Sequence, residues 1–204
     1  MSNPVVLITG GARGIGAGIA KSFLKAGYST MIADIGVHSD KTDWAYEFAT
    51  PSDINALTKE SPDLRACFVD VTNFKSCQEA VSQTVESFGR LDVLINNAGV
   101  VNSGPIESFD ETAWDKIFEV NTKGIFLMTK AALSDLKKSK APSIINTASI
   151  AGKKGYANMS AYCGSKFAAI GITQSLANEL APDGIRVNAI CPGMVGTAMW
   201  LEHL

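Results

Sequence analysis

Tyr162 and Lys166 stand four residues apart in the stretch SAYCGSK, residues 160–166. If that stretch opens a helix, positions i and i+4 share a face, and a phenol lies beside an ammonium. A free phenol, with a pKa near ~10, is a poor base at neutral pH. An adjacent positive charge favours the phenolate and lowers that value, so the pair can work as a general acid and base. Ser149 lies 13 residues before Tyr162. Its hydroxyl can hold a substrate oxygen and stabilise developing charge. Asn121, in EVNTKG, is a poor helix former inside a helical pattern, and Gly124 follows closely. That combination fits a local distortion of the helix.

A second group sits near the N-terminus. ITGGARGIG follows a strand-like run and opens a helical one, with Gly10, Gly14 and Gly16 in a GxxxGxG spacing. Glycines there allow a tight turn and close approach of the backbone to a pyrophosphate. The helix N-terminus offers that anion free N–H groups and a positive dipole end. Asp34 closes the next strand, 18 residues after Gly16. A carboxylate in that place accepts from ribose hydroxyls and repels a 2′-phosphate, which favours NAD over NADP. Arg13 pulls weakly the other way, because a guanidinium in the turn can pair with a phosphate.

These groups need a frame, and the apolar pattern supplies one. Strand-like runs occur at 4–9, 28–34, 65–71, 91–97, 142–149 and 184–190. Helical patterns occur over about 15–26, 74–88, 111–138 and 160–181. Near-continuous apolar strands imply burial on both faces, and strand–helix alternation implies parallel crossovers. The expected fold is α/β: one domain, 1–204, with a doubly wound parallel sheet (a Rossmann fold) in three α/β/α layers. Ligands in such a fold bind at the carboxyl ends of the strands. Gly36–Pro62 breaks the rhythm and reads as an elaborated crossover, in which Asp43 and Ser52 are candidate helix caps.

Composition narrows the function classes. A 46% hydrophobic, 19% charged chain is ordinary for a soluble globular protein. A net charge of -2, with no long basic cluster, argues against nucleic acid or an anionic membrane as partner. No apolar run approaches the ~20 residues of a membrane span, and MSNPVVLITGG, which lacks a basic n-region, is not expected to be a signal peptide. The four cysteines make no CxxC pair and the two histidines are isolated. No metal site is expected, and reduced thiols point to a cytoplasmic location. Ser149 lacks the GxSxG elbow of a hydrolase nucleophile.

The chain resembles the short-chain dehydrogenase/reductase family. The resemblance rests on TGGARGIG (9–16), DV (70–71), NNAG (96–99), Asn121, Ser149, YCGSK (162–166) and PGMVGT (192–197). It implies a catalytic set of Asn121, Ser149, Tyr162 and Lys166, with Asn121 holding a water that joins the lysine to a proton relay. It implies that the turn through Gly10, Arg13, Gly14, Ile15 and Gly16 binds the pyrophosphate. Asp70 and Val71, ending the third strand, contact adenine; Asn97, Ala98 and Gly99 line the adenosine ribose. Tyr162 and Lys166 meet the nicotinamide ribose. Val195 and Thr197 bind the carboxamide in a turn shaped by Pro192 and Gly193.

The implied activity is NAD-dependent hydride transfer between an alcohol and nicotinamide. The ending CPGMVGTAMWLEHL looks like diol and polyol dehydrogenases, with Met199 and Trp200 over a small hydroxyl substrate. The alternatives are an NADPH-dependent carbonyl or 3-oxoacyl reductase, and a non-catalytic dinucleotide-binding protein. Family members usually continue through a lid, a further helix and a seventh strand, which are not expected in a chain ending at Leu204. The resemblance also implies a homodimer or homotetramer.

Overall fold

The computed structural model describes residues 3–37, 48–197 and 199. Six parallel strands form one sheet: β1 (Val5–Thr9), β2 (Ser29–Asp34), β3 (Leu64–Phe68), β4 (Val93–Asn96), β5 (Ser143–Thr147) and β6 (Arg186–Ile190). They run in the order β3-β2-β1-β4-β5-β6, so the strand sequence reverses at β1. A crevice opens at such a reversal beyond the strand ends.

Alternate residues of β1 face opposite layers. Val6 and Ile8 pack with Ala20 of α1 (Gly14–Lys25) and with Ile54 and Leu57 of α2 (Pro51–Thr58). Leu7 packs with Cys77, Ala80 and Val81 of α3 (Phe74–Phe88) and with Met128 and Ala132 of α5 (Gly124–Leu136). Ile117 of α4 (Glu111–Phe118) and Leu180 of α6 (Ser160–Leu180) complete that layer. The double burial explains why the strands carry almost no polar alternation.

Three local expectations are corrected. The third strand stops at Phe68, so Asp70 and Val71 lie in the turn beyond it. There Asp70 accepts the Thr72 N–H (2.9 Å) and hydroxyl (2.7 Å), a side-chain turn that ends strand pairing. The short crossover helix is capped by Thr50, not Ser52. Thr50 and Asp53 bond reciprocally behind Pro51, a capping box. Asp43 lies outside the described residues. The helix expected over 111–138 is two helices joined by a π-helical turn, Glu119–Lys123, that contains Asn121.

Candidate functional site

The glycine turn is held by strand ends on both sides. Gly10 donates to the Ala33 carbonyl (2.8 Å). The Asn97 amide donates to the carbonyls of Thr9 (3.1 Å) and Gly10 (3.0 Å) and accepts from Thr147 Oγ1 (3.3 Å). Thr9 Oγ1 receives the N–H groups of Asn97 and Ala98, each at 3.0 Å. Asn97 thus ties β1, β4 and β5 together and is not simply a ligand group. Gly10 and Gly14 have φ of 61° and 51°, where a side chain is strained. A Cβ on Gly16 would lie 2.0 Å from the Gly10 carbonyl oxygen. Helix α1 starts with no side-chain cap and no acid in its first turn, so its N–H groups are left for an anion.

Asp34 closes β2 beside this turn. Its two carboxylate oxygens accept the N–H groups of Ala12 and Gly36, each at 3.1 Å. Burial raises its carboxyl above the ordinary range, against the lowering pull of those N–H groups and of Arg13. Arg13 Nη1 donates to the Phe48 carbonyl (2.7 Å).

Along the strand ends runs a cavity of about 450 Å³. Gly10, Arg13, Gly14, Ile15, Gly16, Asp34, Asp70, Val71, Asn97, Ala98, Gly99, Ser149, Tyr162, Lys166, Pro192, Gly193 and Thr197 all line it. Val195 does not; its side chain is 40% exposed. Asn121 lies one layer behind. It accepts the Val100 N–H (2.8 Å) and donates to the Val100 carbonyl (2.9 Å) and to Ser165 Oγ (3.0 Å). Gly99 makes room for this: a Cβ there would be 3.3 Å from Asn121 Oδ1 and 3.4 Å from Lys166 Nζ. Phe48, Lys116, Val120 and Thr147 also line the cavity and had no sequence signal. Trp200 lies outside the described residues.

At the reacting end, Ser149 follows β5 and accepts the Ala151 N–H (3.1 Å). Burial holds the Tyr162 phenol above its ordinary value, against a lowering influence of the Ser149 hydroxyl, opposite to the direction the sequence suggests. Lys166 Nζ donates to the Thr147 carbonyl (2.9 Å) and lies 5.7 Å from the centre of the Tyr162 ring. Burial lowers its pKa to about 8. The ammonium that a spacing argument assigns wholly to the phenol is therefore shared with a backbone carbonyl and weakened by desolvation.

A dinucleotide fits this cleft: backbone without side chains at the turn, free helical N–H groups behind it, and a carboxylate at the end of β2. Comparison with known proteins agrees. The family described as short chain dehydrogenase matches residues 4–203. Galactitol 2-dehydrogenase of Agrobacterium fabrum is 38% identical over 98% of this chain and 73% of its own length. (+)-Borneol dehydrogenase 2 of Salvia officinalis is 37% identical, over 98% and 68% respectively. The crystal structure of carveol dehydrogenase from Mycobacterium avium in complex with NAD superposes with a TM-score of 0.89 at 31% identity. It covers 98% of this chain and 73% of that one. The chain belongs to the short-chain dehydrogenase family and is an NAD(P)-dependent oxidoreductase.

Proposed function

We propose that this protein oxidises a secondary alcohol, or reduces the matching ketone, with NAD as cofactor and Tyr162 as general acid and base. The observation that carries the reading is that Ser149, Tyr162 and Lys166 line the same cleft as the glycine turn and Asp34. NAD suits Asp34, whose buried carboxylate faces the site of any 2′-phosphate. Of the three relatives named above, one is a galactitol dehydrogenase, in keeping with the polyol likeness of this chain's C-terminal residues, and the other two are borneol and carveol dehydrogenases.

In this reading α1 holds the pyrophosphate, Asp34 the adenosine ribose, and Asp70 and Val71 the adenine. Lys166 and Tyr162 hold the nicotinamide ribose, and Thr197 the carboxamide. When bound, oxidised nicotinamide supplies the hydride acceptor and a positive charge. Ser149 holds the substrate oxygen. Tyr162 takes the hydroxyl proton during oxidation and returns it during reduction. The π-helical turn sets Asn121 against Val100 and Ser165, one layer behind Lys166, which suits a water-borne proton path.

The protein is read as a homodimer or homotetramer. Phe126 on α5 and Phe167 on α6 are 52% and 47% exposed, and apolar helical faces of this kind suit subunit contacts. Four free thiols suit a cytoplasmic location. No described helix is long and apolar enough to cross a membrane.

The test is NAD titration and turnover in Tyr162→Phe. Cofactor affinity stays within about threefold of the parent, and kcat falls by at least about a hundredfold, within the usual contribution of a general acid–base group. Turnover near the parent level would assign the proton transfer to another group.

A further inference from the structure

The side chains assigned to the reaction come from two pieces of backbone. Ser149 caps a short 3₁₀ turn, Ile150–Gly152, while Tyr162 and Lys166 sit on α6. The bond from Lys166 Nζ to the Thr147 carbonyl joins the two pieces. It runs through a long side chain and leaves the helix backbone free to shift.

A backbone contact removes that freedom. Gly152 is buried against the Lys166 carbonyl. A Cβ on Gly152 would lie 2.5 Å from that oxygen, 2.9 Å from its carbon and 3.0 Å from Ile170 Cδ1. Real Cβ contacts essentially never fall below 3.0 Å. A side chain here therefore forces turn and helix apart by at least about 0.5 Å, as much error as a reacting constellation tolerates.

Both pieces are pinned elsewhere. The Ile150 N–H donates to the Pro192 carbonyl (3.0 Å), and the Gly152 N–H to the Ser149 carbonyl (2.9 Å). On α6, Tyr162, Lys166, Ala169 and Thr173 are all buried, at spacings that share one helix face. The Thr173 hydroxyl donates to the Ala169 carbonyl (2.7 Å) and accepts from the Asn146 amide of β5 (2.9 Å).

The geometry points to Gly152 as a positioning residue: its bare backbone against the Lys166 carbonyl sets the spacing of Ser149 from Tyr162 and Lys166. The Asn146–Thr173 bond holds the same helix along β5. The proposal rests on the dehydrogenase reading above and adds the contact that aligns its groups.

Titration of the parent, Gly152→Ala and Gly171→Ala with NAD and with AMP tests this. Gly171 is exposed on α6, and a Cβ there meets no described residue within 4 Å. In the reading above AMP engages the glycine turn and Asp34, whereas NAD also engages Tyr162 and Lys166. Gly152→Ala loses at least about fivefold in NAD affinity, and its AMP affinity stays within about twofold of the parent. Gly171→Ala matches the parent for both. A parental NAD-to-AMP ratio in folded Gly152→Ala overturns the proposal, and so do equal losses for both nucleotides.

Turnover gives a second readout, with whichever of galactitol, borneol and cyclohexanol the parent oxidises fastest. At saturating NAD, kcat of Gly152→Ala falls by at least about tenfold; an unchanged kcat overturns the proposal. Should Gly152→Ala fail to fold, Thr173→Val removes the second tie at nearly constant shape. It lowers the NAD-to-AMP affinity ratio by about twofold or more, and Thr173→Ser restores it. A parental ratio in Thr173→Val then overturns the proposal. A parent that binds NAD and oxidises no alcohol overturns the dehydrogenase reading, while the nucleotide ratios still decide the role of Gly152.

Discussion

The Lys166 ammonium and the Thr147 carbonyl oxygen are 2.9 Å apart, so the buried cation is tied to the end of β5 as well as facing Tyr162. Its pKa stands at about 8, against an ordinary 10.5, because burial disfavours the charge. Between those values the folded protein has lost the proton and the unfolded chain has kept it. Stability contributed by this group therefore rises with pH across that window, by about 1.4 kcal/mol per pH unit. Chemical denaturation of the parent and of Lys166→Met between pH 7.5 and 10 reads the effect. The parent gains on the variant as pH rises. Parallel curves would mean that the lysine is better solvated than its burial implies.

Ser149 has a measurable effect on its neighbour. Its hydroxyl lowers the Tyr162 pKa against a larger rise from burial. Ser149→Ala removes the lowering contribution and leaves the burial. The pKa governing kcat/KM for alcohol oxidation then moves up, and kcat at neutral pH falls by about 10²-fold or more, as for loss of one oxyanion donor. A slower enzyme with an unmoved pH profile would limit Ser149 to holding substrate.

Two glycines of α1 separate geometry from propensity. A Cβ on Gly16 meets the Gly10 carbonyl at 2.0 Å, whereas one on Gly18 meets nothing within 4 Å. Gly16→Ala must open the turn, so NAD affinity falls by at least about tenfold. Gly18→Ala keeps the turn and gains up to about 1 kcal/mol of helix propensity. NAD titration and urea denaturation check both. A Gly16→Ala variant with parental affinity would show that the turn has slack.

Much of this was legible because strands and chemistry left different marks. The doubly buried strands wrote themselves as apolar runs, and the glycine turn, Asp34, Ser149 and the Tyr162–Lys166 pair sit at their ends. What was not legible depends on backbone path or backbone atoms. Thr147 holds Lys166 through its carbonyl, which no residue type reveals. Phe48 reaches the cavity from an aperiodic crossover, and nothing in its neighbours fixes that path. The stop of β3 at Phe68 follows from the Asp70 side-chain turn, not from a loss of apolar character. Thr50 could have been preferred to Ser52, since only Thr50 has an acid three residues on to close a capping box.

Asp34 joins stability to cofactor choice, and one substitution separates them. Its oxygens accept from Ala12 and Gly36, so the carboxylate pins both the glycine turn and the start of the crossover. Asp34→Asn keeps the shape, leaves one acceptor, and turns an N–H₂ toward the other donor. That mismatch costs about 1–3 kcal/mol of stability. The same change removes the negative charge that disfavours a 2′-phosphate, so NADP gains on NAD even as the fold weakens. Fluorescence titration with both dinucleotides should show the ratio of their dissociation constants shifting toward NADP by about tenfold, roughly 1.4 kcal/mol. A destabilised variant with the parental ratio would leave Asp34 a structural clamp and move the discrimination to the Arg13 side of the turn.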